Sequence, residues 1–471
     1  MRRLSAAVMT AGLATAVALG AVSSPGGAST SPIRSVVHFP AAGAALKFTN
    51  SCFWGVPYTE ETRDIIWPDS HTGYWYTSDV VPAGGKIVLH GQFPHARFFS
   101  FTATSTLGVT RAYLYDVDIK ADPGSTNPFM PGANRNAAQR SYTVTVVDEP
   151  DPGPGHRQQN VLYAGTAGQA SGAGRLAVTA RVYLPDRGRD WTGGVGVPTA
   201  SYAAAGGTTA TGNAACAALG TQSGASNITN INQVLFPETK IEQLLAMSSS
   251  PTHPAVDPVQ WYKYWTPQRL LEPYYAGTTL QSDIATLPTT GTGLGANPAN
   301  GYVTAWLDRT IGPNPDGHNI AVLHGKLPTT PATYNGEAKM QGGTQLRYWS
   351  LCNNEGLASG KTTGPCLSDE EVPTDAQRDY TIVISLPQDR PANATDKCGV
   401  AWMNWGTTGD GFTRPTSTLL ILRNLATTST TPFTHSVQDI SVPGTEKQVM
   451  GPYLPTATYT DKSQFQKLGC K

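Results

Sequence analysis

The residues of this chain best suited to chemistry are paired carboxylates. Asp116 and Asp118 stand two apart in Leu114-Tyr-Asp-Val-Asp-Ile119, and Asp369, Glu370 and Glu371 recur in a similar setting after Leu367. Glycosidic cleavage needs an acid and a base about 5 to 9.5 Å apart, so Asp116, Asp118, Asp369 and Glu371 are the catalytic candidates. On a strand, a spacing of two puts Asp116 and Asp118 on the same face. The competing structural reading pairs Asp116 and Asp369 with Arg97 and Arg347, or with Arg140 and Arg378, inside each domain. Asp116, Asp118 and Asp122 with a loop carbonyl would also suit Ca²⁺, a hard cation that takes clustered carboxylate oxygens. No other cofactor is implied.

Aromatic residues form the second group. Trp261-Tyr-Lys-Tyr-Trp265 and Tyr274-Tyr275 concentrate six aromatics in fifteen residues. Trp261 and Trp265 are the candidates for stacking on a sugar ring or another flat ligand, with Arg97 and Arg347 as candidate polar contacts. Filling a core is the competing role for every tryptophan here. Of Trp402 and Trp405, three apart on a strand and so on opposite faces, at least one should be buried. His90 and His324 each precede a glycine at the end of a strand-like run, which fits a turn or a core hydrogen bond better than a metal site. His71 and His95 lie nearer potential ligands such as Asp69, but no helical pair or His-x-His spacing organises them. A Gly-x-Ser-x-Gly elbow, His-Glu-x-x-His, a phosphate loop and a dinucleotide fingerprint are all missing from the sequence.

These residues sit on elements that occur twice. Val88-Leu89-His90-Gly91 recurs as Val322-Leu323-His324-Gly325, and Arg97-Phe-Phe-Ser-Phe101 as Arg347-Tyr-Trp-Ser-Leu351. Leu114-x-Asp116-x-Asp118 recurs as Leu367-x-Asp369-x-Glu371, and Arg140-x-Tyr142-Thr143 as Arg378-x-Tyr380-Thr381. Four blocks in one order imply two copies of one domain. Ile87–Leu89, Arg97–Ala103 and Tyr142–Val147 are rich in β-branched and aromatic residues, bounded by Gly, Pro and Asn, and read as strands. The expected fold is therefore mainly β: two related antiparallel β-sandwich domains with a small helical insertion between them. The boundaries fall at residues 35–198 for the first domain, 199–300 for a Gly/Ala-rich linker and aromatic-rich insertion, and 301–471 for the second. Within the insertion, Pro237–Met247 is the clearest helical pattern, with Ile241, Leu244 and Leu245 on one face. The loop Lys120–Gln139 is longer in the first copy, a place where duplicated domains diverge in function.

Bulk composition agrees with this. Charged residues are 14% of the chain, against about 25% in a typical soluble protein. The 49 glycines and 36 prolines argue for turns and strands over a helical bundle. Lys plus Arg and Asp plus Glu balance at 33 each, which gives no support to a nucleic-acid partner. Met1-Arg2-Arg3, an apolar run to Val22 and the small residues Ser23–Thr30 have the order of a secretory signal peptide, assigned to residues 1–28. No later stretch has the roughly 20 apolar residues of a membrane span. The mature chain retains Cys52, Cys216, Cys352, Cys366, Cys398 and Cys470, an even count that reads as three disulfides in an exported protein. Cys352 with Cys366, across a short Gly-rich loop, is the most natural pair.

Asp122-Pro-Gly-Ser-Thr-Asn-Pro-Phe129, Arg347-Tyr-Trp-Ser-Leu-Cys352 and Val449-Met-Gly-Pro-Tyr-Leu454 make the chain resemble a group of exported actinobacterial proteins. No activity is attached to that group, so the resemblance implies export and says nothing of catalytic residues. The functional expectation is a secreted protein binding a glycan or another cell-envelope component in a groove between its domains. The alternative is a secreted hydrolase or lyase acting on a polysaccharide or other polymer. A carboxylate cleft free of arginine partners would favour the enzyme. A surface without a pocket of roughly 300 Å³ would favour a purely structural role.

Overall fold

The computed structural model describes residues 53–219, 255–263, 297–426 and 433–470, apart from short breaks at 56, 63, 65–66, 80–83, 106–109, 154, 166–175, 357–358 and 412–413. The signal-peptide segment, Cys52, the helical pattern at 237–247, Trp265 and Tyr274-Tyr275 lie outside the described residues.

The first copy contains β1 (Thr72–Asp79), β2 (Lys86–Gln92), β3 (Ala96–Ser105), β4 (Thr110–Tyr115), β5 (Ser141–Val147), β6 (Val161–Tyr163), β7 (Leu176–Pro185) and β8 (Thr199–Ala203). It ends with β9 (Thr209–Thr211) and helix α1 (Gly212–Leu219). After β10 (Tyr262–Lys263), the second copy contains β11 (Asn300–Asp308), β12 (Asn319–Lys326), β13 (Tyr348–Asn354), β14 (Leu367–Ser368), β15 (Asp379–Ser385), β16 (Val400–Asn404), β17 (Ser417–Leu425) and β18 (Thr456–Asp461). Two short helices, α2 (Glu446–Met450) and α3 (Lys462–Lys467), flank β18.

Strand order establishes the duplication. Sheet β1-β7-β3-β4 matches β11-β17-β13-β14, and sheet β6-β5-β2-β8 matches β16-β15-β12-β18. The register agrees as well: Gly91 faces Tyr142 as Gly325 faces Tyr380. The sheets are antiparallel as expected apart from one pair in each copy, β6 with β5 and β16 with β15, which run parallel because long connections let the chain return in the same direction. One expectation needs correction: the stretch from Thr199, read as a linker, instead begins with β8, which lies between β2 and β9 in the sheet and is followed by α1.

Each copy is a sandwich with its own core. In the first, Phe99, Phe101 and Val182 of one sheet meet Ile87, Leu89 and Val144 of the other. In the second, Trp349, Leu351 and Leu422 meet Leu323, Ile382 and Met403. Outer strands alternate as a half-buried sheet should: along β5 every second residue is buried. By contrast, β13 and β17 are buried along their whole length, because the outward face of their sheet is covered by the other copy. Phe98, Tyr183 and Leu184 of the first copy pack there on Tyr348 and Leu425 of the second. Cys352–Cys366 and Cys398–Cys470 are disulfides, and Cys216 is also disulfide-bonded. Among the described residues, no helix is long and apolar enough to cross a membrane.

The His-Gly block has the same use in both copies. The Thr143 hydroxyl lies 3.0 Å from His90 Nδ1, and that of Thr381 lies 3.1 Å from His324 Nδ1. Both histidines are exposed, so the bond is a cross-strand surface contact and not a core one. The following glycine admits the tyrosine of the next strand: a Cβ on Gly325 would stand 2.6 Å from the Tyr380 hydroxyl oxygen. Gly325→Ala should therefore destabilise the chain by about 1–3 kcal/mol, the usual cost of overpacking. Adding Tyr380→Phe should recover part of that loss, as read by denaturant midpoints of the single and double variants.

Candidate functional site

The carboxylates singled out by spacing form the junction between the copies. Asp116 and Asp118 lie on a 3₁₀ turn after β4 and not on a strand. Residues two apart on such a turn point in different directions, and Asp116 is buried while Asp118 is exposed. Asp116, Asp118 and Asp122 consequently do not form one carboxylate cluster for Ca²⁺.

Asp116 and Asp369 do meet arginines, but not those of their own domain. Arg97 of the first copy donates from Nη1 to Asp369 at 3.0 and 3.1 Å. Arg347 of the second copy donates to Asp116 at 3.2 Å. The two arginines also cross over on backbone: Arg97 bonds the Arg347 carbonyl at 3.2 Å, and Arg347 bonds the Arg97 carbonyl at 2.8 Å. Each aspartate is oriented by the neighbouring strand of its own copy, Asp116 by the Phe99 N–H at 3.0 Å and Asp369 by the Trp349 N–H at 2.9 Å. Burial outweighs the attraction of Arg347 and raises Asp116 to about 6. Arg97 also meets Glu370, whose carboxylate accepts the backbone N–H groups of Tyr334 and Asn335. Arg140 and Arg378 take no part: they bond the carbonyls of Pro94 and Pro328. Fully buried Arg97 and nearly buried Arg347 are thus absorbed by the junction rather than offered to a ligand.

Where the copies diverge in length, they hold each other. The Lys120–Gln139 loop pairs with the insertion before β13: Gly132 bonds Met340 and Arg135 bonds Ala338 through backbone, and the Arg135 guanidinium reaches the Glu337 carbonyl at 2.7 Å.

Beside the crossed pairs lies an ionic centre that spacing arguments missed. Fully buried His71 has Nε2 2.7 Å from Glu371 and Nδ1 3.4 Å from Asp69. Asp69 also accepts from Tyr348 and from Ser350, the latter at 2.6 Å. Although burial opposes charging, the carboxylates of Glu371 and Asp69 raise His71 to about 10. Despite their own burial, His71 helps hold both carboxylates below their usual range. The equivalent place in the other half is neutral. The backbone bonds Thr72 to Asp69 and Leu184 to His71 match Asn300 to Asn297 and Ala426 to Ala299, so Asn297-Pro298-Ala299 stands where the first copy has Asp69-Ser70-His71. Asp69, Cys352 and Cys366 lie within metal-ligand distance of one another, but both cysteines are spent in their disulfide.

Asp116, Asp369 and Glu371 are therefore enclosed in the junction, and the large pocket is elsewhere. It has a volume of about 950 Å³, and its described lining residues all belong to the second copy and the β10 segment leading into it. His324, Gly325 and Lys326 of β12, Asp379, Tyr380 and Thr381 of β15, Thr456 of β18, Glu446 of α2 and Trp261 line it. Asp375, Asp379 and Glu446 face Lys326 and Lys447, a small excess of acid. Trp261 is present as expected, but it is 6% exposed and built into the second core, which leaves too little ring for a sugar to stack on. The indole N–H of Trp261 and the hydroxyl of Tyr380 are buried with no partner among the described residues. In the first copy, a space of only about 10 Å³ lies between the sheets beside Trp75, Phe99 and Tyr142.

Removing one partner of a buried ion pair leaves an uncompensated charge, at a cost of about 3–5 kcal/mol. Asp369→Ala and Asp116→Ala should each destabilise by that order, whereas exposed Asp118→Ala should stay within about 0.5 kcal/mol, as measured by denaturant unfolding. His71 adds a pH dependence. Its folded-state pKa lies above the ordinary value of 6.5, so its contribution is complete below about 6.5 and is lost as pH rises toward 10. The lowered pKa values of Asp69 and Glu371 contribute above their unfolded values and are lost on acidification. Thermal midpoints of the parent should therefore fall between pH 6.5 and 9, and His71→Asn should flatten that fall.

No family model and no curated protein matches the chain. Among solved structures, it is similar to an uncharacterised protein from Burkholderia cenocepacia, with 12% identity and a TM-score of 0.46 over 89% of this chain and 84% of that one. It is also similar to a Vibrio parahaemolyticus protein, with 11% identity and a TM-score of 0.38 over 83% and 90% of the two chains.

Proposed function

We propose that this chain is a secreted binding protein whose second domain takes a glycan or related cell-envelope component in the pocket beside His324 and Tyr380. The observation that carries the reading is a pocket of about 950 Å³ built on the second copy, within the range of small-molecule sites. A duplicated domain kept for stability alone has no use for such a space. Hydroxyl, carboxylate and imidazole groups dominate its polar lining, and these are groups that hydrogen-bond to polyhydroxylated ligands.

Export is supported by the N-terminal order of basic, apolar and small residues, by the disulfides and by the resemblance to exported actinobacterial proteins. The hydrolase reading loses three of the four residues that motivated it, because Asp116 and Asp369 are committed to arginines and Glu371 to His71.

The test is retention of the purified chain on a panel of cell-wall and plant polysaccharides, with release of soluble product followed in parallel. Thr456 is an exposed residue lining the pocket, so Thr456→Tyr should fill part of the space and weaken retention at least tenfold while leaving the thermal midpoint in place. Retention unaffected by Thr456→Tyr would remove the pocket from the reading, and release of product would make the chain an enzyme.

A further inference from the structure

Resting on the binding role proposed for this pocket, we infer that its ligand is a saccharide bearing a free amine and that Glu446 receives the ammonium group. Glu446 is 3% exposed and lines the pocket at the start of α2. One of its oxygens accepts the backbone N–H of Lys263 at 3.0 Å. No ion pair joins its carboxylate to a lysine, arginine or histidine among the described residues; the Lys263 ammonium feels its charge from a distance but is directed to the Ile440 carbonyl at 2.6 Å. A carboxylate this deeply buried is costly unless an opposite charge in contact or further donors reach it, and an ammonium entering from the pocket supplies both.

Two further features point to the same ligand. Trp261 and Tyr380, 6% and 3% exposed, carry the unpartnered indole N–H and hydroxyl of the pocket, and an amino sugar offers acceptor hydroxyls to the first and a donor to the second. The three acids against two lysines in the lining also favour a cation over an anion. A carboxylated or sulfated glycan would bring its charge against that excess.

The experiment is calorimetric titration of the full chain with a β-1,4-linked glucosamine tetramer and with its fully N-acetylated counterpart, at physiological and at raised salt. A charge-assisted hydrogen bond in a buried site corresponds to roughly a tenfold to hundredfold preference. The amine-bearing tetramer should bind at least tenfold more tightly than the acetylated one, at both salt concentrations. Glu446→Gln, which keeps the acceptor for Lys263, should reduce that preference to about twofold with the thermal midpoint unchanged. If that variant fails to fold, the parent's preference decides, together with its loss on pocket filling in Thr456→Tyr. Equal or tighter binding of the acetylated tetramer would overturn the amine assignment while leaving the pocket as a glycan site. If neither tetramer binds but another glycan is retained in a Thr456-dependent way, the assignment also fails. Absence of binding to every saccharide tried would take down the binding role itself.

Discussion

The junction depends on a single electrostatic constraint: each of two buried arginines finds its carboxylate on the other copy of the domain. Arg97 and Arg347 sit where an unpaired guanidinium would be ruinous, and Asp369 and Asp116 are their partners. Each aspartate is first fixed by a backbone N–H of its own copy and then presented across the boundary. Neither copy satisfies its own charge. The association of the copies is thus part of the folding of each, and the pairing reads as a single pseudo-symmetric unit rather than two local salt bridges.

The central sheets follow from that constraint. With one face against their own sandwich and the other against the opposite copy, β13 and β17 lose the alternation that marks a half-exposed strand. Polar side chains on the inward faces must then be satisfied within the protein, which is why Ser350, Tyr348 and Arg423 converge on Asp69. The two halves of the junction solve this differently. The first copy brings Asp69 and His71 to a charged centre closed by Glu371, while the second brings Asn297 and Ala299, and the Asn297 side-chain N–H group has no partner among the described residues. The symmetry is of fold and not of charge.

The copies also diverge in length. The long loop of the first copy and the insertion of the second are used against each other as a clasp. The His-Gly ends of β2 and β12 keep the same cross-strand bond, and the end of β12 also lines the large pocket.

By itself, the sequence determined the β class, the duplication and its four blocks, the Cys352–Cys366 bridge and the association of acid with arginine, because these rest on local alternation, on repeated residue identities and on short spacings. It could not say which arginine meets which aspartate, since a pattern specifies the face a side chain takes and not the copy that lies opposite. It misjudged Asp116 and Asp118, where a 3₁₀ turn replaced the strand that would have aligned them. Asp69 and His71 were visible as neighbours, but Glu371 lies 300 residues further along the chain and only folding brings it to His71. The pocket left still less trace: it is bounded by segments near residues 260, 325, 380, 446 and 456. A void is made by side chains that fail to fill a space, and only the tertiary structure decides where that happens.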